Sequence, residues 1–234
     1  MSVLKHITFT GIDERTDITV LSKIQKEFPI AEFGILTSYH WYENGNRYLD
    51  PRSIRKFLDK GLNLSLHICG SAAHDAALGN YADIYHLTYG AYGYIPRIQL
   101  NISGRMDNPE VVAPTMYQHE IIIQQRDLNN IELFSSTQKQ WGYFNGRLSV
   151  LLDASGGRGI DTPLSALPIR SNKVGYAGGF TPDNVSEKLS FLLVNHTVGG
   201  FWIDMESGVR TDDWFDLDKV VDVLKKCRKC LDNE

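Results

Sequence analysis

The chain has 234 residues, a formal net charge of −4 and a sequence pI near 6.0. Apolar residues make up 42% of it, which suits a globular protein with one large core. The acidic balance argues against a general nucleic-acid binder, since that class is usually basic. No apolar run reaches membrane-spanning length and the N-terminus lacks a signal-peptide pattern, so we expect a cytoplasmic protein without a membrane partner.

The cysteines do not indicate a disulfide framework or a metal site. There are three, an odd number. Cys227 and Cys230 have the CxxC spacing, but they lie in a basic segment of helical pattern, where that spacing is one helical turn. A metal site built from His67, Asp153 and Asp204 would also lack a spacing signature. The sequence therefore predicts no metal and no cofactor.

Short apolar runs alternate with longer amphipathic runs along the chain. The predicted strands are residues 6–9, 33–37, 63–68, 97–102, 120–124, 148–153, 173–177 and 200–205. The clearest predicted helices are residues 16–27, 51–60, 108–117, 182–195 and 214–231, the fourth with Thr181 as N-cap and Pro182 as its first residue. The alternation predicts a single (β/α)8 barrel domain over residues 1–234. A doubly wound sheet is the alternative, but no GxGxxG follows the first strand.

Alternation within the strands predicts which side chains face the barrel interior. In residues 63–69 the leucines and Ile68 would face outer helices, so Ser65, His67 and Cys69 would face inward. The same reasoning places five polar residues inside at strand ends, namely His67, Asn101, Gln124, Asp153 and Asp204. Barrel enzymes place their chemistry at this rim. The alternative is that these groups only satisfy one another in a polar core.

The last two predicted strands both end in glycine turns. Gly178 and Gly179 follow the seventh strand, and Ser207 and Gly208 follow the eighth. Backbone N–H groups in such turns, and the helix N-terminus after them, are suited to bind a phosphate. Aromatic residues are frequent in segments 39–42 and 85–94, where loops over the barrel mouth or ordinary surface packing would both explain them.

These motifs resemble the phosphoribosylanthranilate isomerase family, (β/α)8 enzymes of tryptophan biosynthesis. The specific matches are the strand ending at Asp153 with the glycine loop at 156–159, the turn at 177–185 and the Ser-Gly-Val turn at 207–209. Residues 98–101 and 8–12 match more weakly. The resemblance implies that Asp153 is the general acid. It also implies a phosphate site formed by Gly157, Gly178, Gly179, Ser207 and Gly208.

Two positions depart from the family pattern. Thr10 stands where the family has its cysteine base, and His40 stands where it has an arginine that helps hold the anthranilate carboxylate. A neutral hydroxyl is a poor base unless it is activated. We therefore expect no efficient phosphoribosylanthranilate isomerase activity and a different ligand. The substrate-binding candidates are Thr10, His40, Asn101, Gln124 and Asp204.

The sequence thus predicts a barrel that binds a small phosphorylated, sugar-like metabolite and catalyses proton transfer, such as isomerisation, epimerisation or a related aldol or lyase step. Asp153 would be the acid, and the base is left open among His67, Cys69 and His40. His67 is attractive because histidine titrates near neutrality, whereas Cys69 is either a reactive thiol or a small buried filler. The alternative is a catalytically inactive ligand-binding barrel, a sensor or partner subunit. A homo-oligomer remains open.

Overall fold

The computed structural model describes residues 3–40, 45–78, 94–102, 119–125, 148–153, 173–196 and 199–232, together with residues 80, 82, 85, 86, 88 and 90. The predicted helix at 108–117, the glycine loop at 156–159 and residues 41–42 of the first aromatic segment lie outside the described residues. Within the described part, no helix is long and apolar enough to cross a membrane.

Eight parallel strands form a closed barrel in which each strand pairs with its sequence neighbours and β8 pairs with β1. The strands are β1 Val3–Thr10, β2 Ala31–Thr37, β3 Leu64–Cys69, β4 Arg97–Asn101, β5 Glu120–Gln125, β6 Leu148–Asp153, β7 Lys173–Ala177 and β8 Gly200–Met205. All eight lie where the apolar runs predicted them. With helices between strands, this confirms the (β/α)8 barrel.

Five α-helices lie in the described part of the chain. They are α1 Ile18–Glu27, α2 Pro51–Leu58, α3 Ser71–Leu78, α4 Val185–Asn195 and α5 Leu217–Asp232. Two 3₁₀ turns, Gly45–Arg47 and Ser207–Val209, follow β2 and β8. After the second of these turns, a short antiparallel hairpin pairs β9 Arg210–Thr211 with β10 Trp214–Phe215.

Two predicted helix starts were wrong. The helix after β7 begins at Val185, not at Pro182, and Thr181 is not its cap, because the Asn184 side chain folds back onto Thr181 N and Gly179 O. The last helix begins at Leu217, because Trp214 pairs in the hairpin instead. These contacts join residues no more than five positions apart, and a helical pattern alone does not show which of them form.

The main apolar core lies between the strands and the outer helices. Leu64, Leu66 and Ile68 of β3 belong to it, as the alternation predicted. The intervening side chains fill the barrel interior, where polar and charged groups are frequent. This division places the polar side chains inside the barrel and at its carboxyl-terminal rim, where barrel enzymes have their active sites.

Candidate active site

A buried ion cluster lies inside the barrel at the amino-terminal end of β4. Arg97 Nη1 donates to Glu32 Oε1 at 2.5 Å, and Arg97 Nε is 3.5 Å from Glu120 Oε2. Its guanidinium also lies 4.7 Å from the Trp202 ring centroid, as a cation–π pair. Because Glu32, Arg97 and Trp202 come from strands that are not neighbours, their contacts cross the interior.

A small apolar cluster packs inside the barrel beside these ions. Trp202 packs with Ile122 and Leu151, and Ala177 packs against that group. Trp202 needs Gly175 beside it, since a Cβ on that glycine would lie 2.1 Å from the indole. The functional candidates are the polar groups nearer the carboxyl ends of the strands, where barrel enzymes have their active sites.

Thr10 and Asp204 form a buried pair at the rim. Thr10 Oγ1 donates to Asp204 Oδ1 at 2.7 Å, and the two residues are 3% and 6% exposed. Burial raises the pKa of Asp204 from 3.8 to about 7. The hydrogen bond from Thr10 opposes this pKa rise, whereas the like charges of Glu206, Glu32 and Asp153 add to it. A carboxyl with this pKa can accept or release a proton near neutrality.

Asp153 lies at the end of β6 and is almost fully buried, with 4% exposure. Gln124 Nε2 of the neighbouring strand donates to Asp153 Oδ2 at 2.6 Å. Asp153 is also close enough to raise the pKa of Asp204 electrostatically. The structure therefore brings together Thr10, Gln124, Asp153 and Asp204, four residues that the sequence selected.

His67 lies deeper than the rim and is 1% exposed. Its Nε2 is 3.0 Å from Ser65 Oγ, and a Cβ on Gly34 would lie 3.0 Å from that nitrogen and 2.7 Å from Thr10 Oγ1. Burial lowers the pKa of His67 to about 4, although Glu32 opposes the shift. The sequence analysis expected His67 to titrate near neutrality, but with this pKa the imidazole is neutral at pH 7.

Cys69 belongs to a hydrogen-bonded row along the β3 and β4 wall. Gln99 Nε2 donates to Asn101 Oδ1 at 2.8 Å, and Asn101 Nδ2 donates to Cys69 Sγ at 3.4 Å. Cys69 also shares a hydrogen bond with Tyr48. Burial raises the pKa of the Cys69 thiol to about 11, so the group is a neutral thiol near pH 7 and a weak nucleophile.

The two glycine turns lie against each other. Gly178 and Gly179 have φ values of 113° and 66°, which favour glycine. A Cβ on Gly208 would lie 1.9 Å from Phe180 O, so the turn after β8 packs on the backbone after β7. Lys188 Nζ donates to Gly178 O at 2.8 Å. The predicted phosphate residues Gly178, Gly179, Ser207 and Gly208 are thus adjacent, and Gly157 lies outside the described residues.

Arg47 and Glu206 lie beside the turn after β8, and the sequence analysis did not select them. Arg47 Nη1 donates to Glu206 Oε1 at 2.8 Å and to Ser207 Oγ at 3.3 Å, and Arg47 Nε donates to Asp213 Oδ1 at 2.8 Å. These partners lie more than 150 residues after Arg47 in the sequence, so the contacts become evident only in the closed barrel. His40, the predicted replacement for the carboxylate-binding arginine, lies exposed in the turn after β2.

The profile of the family described as N-(5′phosphoribosyl)anthranilate (PRA) isomerase matches residues 112–226, just under half of the chain. No curated protein matches the sequence. Among solved structures, N-(5′-phosphoribosyl)anthranilate isomerase from Pyrococcus furiosus superposes with a TM-score of 0.53 at 15% identity, covering 96% of this chain and 98% of its own. Phospho-2-dehydro-3-deoxyheptonate aldolase from Thermotoga maritima superposes with a TM-score of 0.57 at 13% identity, covering 97% of this chain and 70% of its own.

At these identities the two solved structures support the fold alone. The family profile also shows sequence similarity, and it does so over the second half of the chain, which includes β6 to β8 and the turns that follow β7 and β8. The chain is therefore a (β/α)8 barrel whose resemblance to the N-(5′-phosphoribosyl)anthranilate isomerase family is confirmed over residues 112–226.

Proposed function

We propose that this protein is an isomerase or epimerase of a small phosphorylated, sugar-like metabolite, with Asp204 as general base and Asp153 as general acid. The observation that supports this assignment is the buried pair in which Thr10 donates to Asp204, beside Asp153. The resemblance of residues 8–12 to the family's first motif implies that Thr10 stands where the family has its base. The carboxylate behind it supplies the basicity that a threonine hydroxyl lacks.

The chemistry is an enolisation. Asp204 takes the proton from the carbon next to the substrate carbonyl, and the electron pair of that C–H bond forms a carbon–carbon double bond. In the reacting form Asp204 is ionised and Asp153 holds the one proton that the two neighbouring carboxyls share. Transfer of that proton from Asp153 to the carbonyl oxygen gives a neutral enediol. Return of the Asp204 proton to the other carbon, with loss of the neighbouring hydroxyl proton to Asp153, gives the isomer. Return of the Asp204 proton to the opposite face of the same carbon gives the epimer, once the planar enediol has turned in the site and as its new hydroxyl proton passes back to Asp153.

A base with a pKa near the working pH suits this role. A base with a low pKa binds a proton too weakly, and one with a high pKa is already protonated. A pKa of about 7 leaves Asp204 partly ionised at neutrality. His67 and Cys69 are less suited to act as bases, since their pKa values of about 4 and about 11 leave a weakly basic imidazole and a neutral thiol.

The phosphate is proposed to bind at the adjoining turns of Gly178, Gly179, Ser207 and Gly208. Positive φ angles at Gly178 and Gly179 bend the backbone sharply after β7. The close approach of Gly208 to Phe180 O brings the two turns into one surface. Backbone N–H groups of such turns bind anions without side-chain charge. This surface adjoins the rim where β8 places Asp204, so one ligand would reach both.

A thermal-shift screen of phosphorylated metabolites tests the binding part of the proposal. A ligand at a hundred times its dissociation constant stabilises a protein by about 2.7 kcal/mol. Gly179→Asp places a carboxylate in the anion site and should abolish the shift. A full shift in a folded Gly179→Asp protein would contradict the phosphate assignment.

Turnover of the ligand found by the screen tests the catalytic part. Asp204→Asn and Asp153→Asn should each lower kcat by a factor on the order of 10² to 10⁴ with binding largely retained. Asp222→Asn is the matched control, because Asp222 pairs with Lys226 on the outer helix α5. Equal losses in all three variants would indicate a general effect of charge and not catalysis.

A binding-only barrel is the second candidate. It is favoured by Thr10 in place of the family's thiol and by the high pKa of the remaining rim thiol, Cys69. This candidate predicts the same thermal shift but no conversion of the ligand, so the turnover measurement distinguishes the two.

A further inference from the structure

Arg47 lies at the surface where the proposed function places the phosphate. It follows β2 in the 3₁₀ turn Gly45–Arg47 and contacts the turn that follows β8. Its Nη1 is 3.3 Å from Ser207 Oγ, and the next residue, Gly208, packs directly on the backbone after β7. The guanidinium therefore lies at the edge of the two glycine turns.

The guanidinium retains unused hydrogen-bonding capacity. Nε and Nη1 donate to Asp213, Glu206 and Ser207, but Nη2 makes no hydrogen bond with any residue in the described ranges. The Arg47 side chain is 34% exposed, so an anion can approach it from solvent. Arginine presents two parallel N–H donors to a phosphate, an arrangement that gives short and strong hydrogen bonds.

Glu206 is the group that an incoming anion would compete with. Its Oε1 holds Arg47 Nη1 at 2.8 Å, and its side chain is 26% exposed. Burial raises the pKa of Glu206, which means that the carboxylate is poorly solvated where it lies. Asp213 anchors Arg47 through Nε on the other side. That anchor would hold the guanidinium in place while Nη1 exchanges Glu206 for a ligand oxygen.

We propose that Arg47 is a side-chain ligand of the phosphate group, and that Glu206 competes with the phosphate for it. This inference rests on the proposed function, because it deepens the same anion site. It specifies the ligand as a phosphate monoester whose oxygens reach beyond the two turns to the guanidinium. The site then consists of the backbone after β7, the backbone after β8 and a side chain that follows β2.

The test measures binding of inorganic phosphate and glucose 6-phosphate to the full chain by isothermal titration calorimetry. Arg47→Gln should weaken binding of both probes at least tenfold. Glu206→Gln should strengthen it several-fold, because the competing charge is removed. Arg15→Gln is the matched control and should stay within twofold of the wild type, since exposed Arg15 stacks on Trp214 at the same rim.

The outcomes separate the inference from the proposed function. Wild-type affinity in Arg47→Gln, with binding lost in Gly179→Asp, would overturn the role of Arg47 and leave the glycine turns as the site. Absence of phosphate binding by the wild-type protein would overturn both. If Arg47→Gln does not fold, Glu206→Gln decides the question, because a purely structural ion pair predicts unchanged or weaker binding in that variant.

Discussion

At the level of single residues, burial changes the acid–base properties of Asp204 and His67 in opposite directions. Both side chains lie inside the barrel, where the charged form of each is poorly solvated. The pKa of Asp204 rises to about 7 and that of His67 falls to about 4. At neutral pH His67 is uncharged, while Asp204 exists in both protonation states. This difference favours Asp204 as the group that exchanges protons with a substrate.

These two pKa shifts predict opposing effects on stability. From about pH 4 to pH 7, folded Asp204 keeps a proton that the unfolded chain has released, so its contribution to stability falls as pH rises. From about pH 4 to pH 6.5, unfolded His67 holds a proton that the folded protein has released, so its contribution rises with pH. Each contribution changes by at most about 1.4 kcal/mol per pH unit.

Asp204→Asn should therefore remove the contribution of Asp204 to stability, which falls as pH rises. Relative to the wild type, the free energy of unfolding of this variant should increase with pH between pH 4 and 7. His67→Gln should show the reverse difference between pH 4 and 6.5. Urea denaturation at half-unit pH intervals measures both. Parallel pH–stability curves for wild type and Asp204→Asn would show that this carboxyl has an ordinary pKa.

At the level of elements, two buried or half-buried arginines join the loops that follow β1, β2 and β8. Arg210 Nη1 donates to Gly11 O at 2.6 Å, and Arg210 Nη2 is 3.2 Å from Asp13 Oδ2. Arg47 connects the 3₁₀ turn after β2 to the β9–β10 hairpin through Asp213. Asp213 has a φ of 61° in the hairpin turn, which allows its carbonyl and carboxylate to meet both arginines.

Arg210→Met should destabilise the protein strongly. It would leave the carboxylate of Asp13, which is 1% exposed, without its cation, and breaking a buried ion pair costs about 3 to 5 kcal/mol. The double variant Arg210→Met with Asp13→Asn should recover part of the loss, because the unpaired charge is removed. Chemical denaturation measures both variants, and a loss below about 1 kcal/mol in the single variant would contradict this role.

The strands were predictable from sequence because each is a short apolar run, and several of them, such as β3 and β4, carry polar residues at alternate positions. Asp153 and Asp204 could be selected for the same reason, since both end such a run. The helix start at Val185 was not predictable, because Asn184 bonds to the preceding glycine turn instead of leaving Thr181 to cap. Arg47 was not predictable either, because its partners depend on barrel closure.

At the level of the whole molecule, the barrel brings one chemical group from each of several strands to the same rim. β1 and β8 supply Thr10 and Asp204, and β6 supplies Asp153. The turns after β7 and β8 provide the proposed phosphate surface beside them. The buried ions around Arg97 lie deeper in the interior, and the charge of Glu32 still contributes to the raised pKa of Asp204 at the rim.

Hydrogen exchange between solvent and ligand tests the central claim most directly, since enolisation is detectable before any product is identified. Each sugar phosphate that stabilises the protein would be incubated with it in D₂O and followed by proton NMR. The wild type and Asp222→Asn should replace the hydrogen next to the carbonyl with deuterium. Asp204→Asn should do so slower by a factor on the order of 10² to 10⁴. Wild-type exchange in a folded Asp204→Asn protein, or no exchange by the wild type with a bound ligand, would contradict the proposed function.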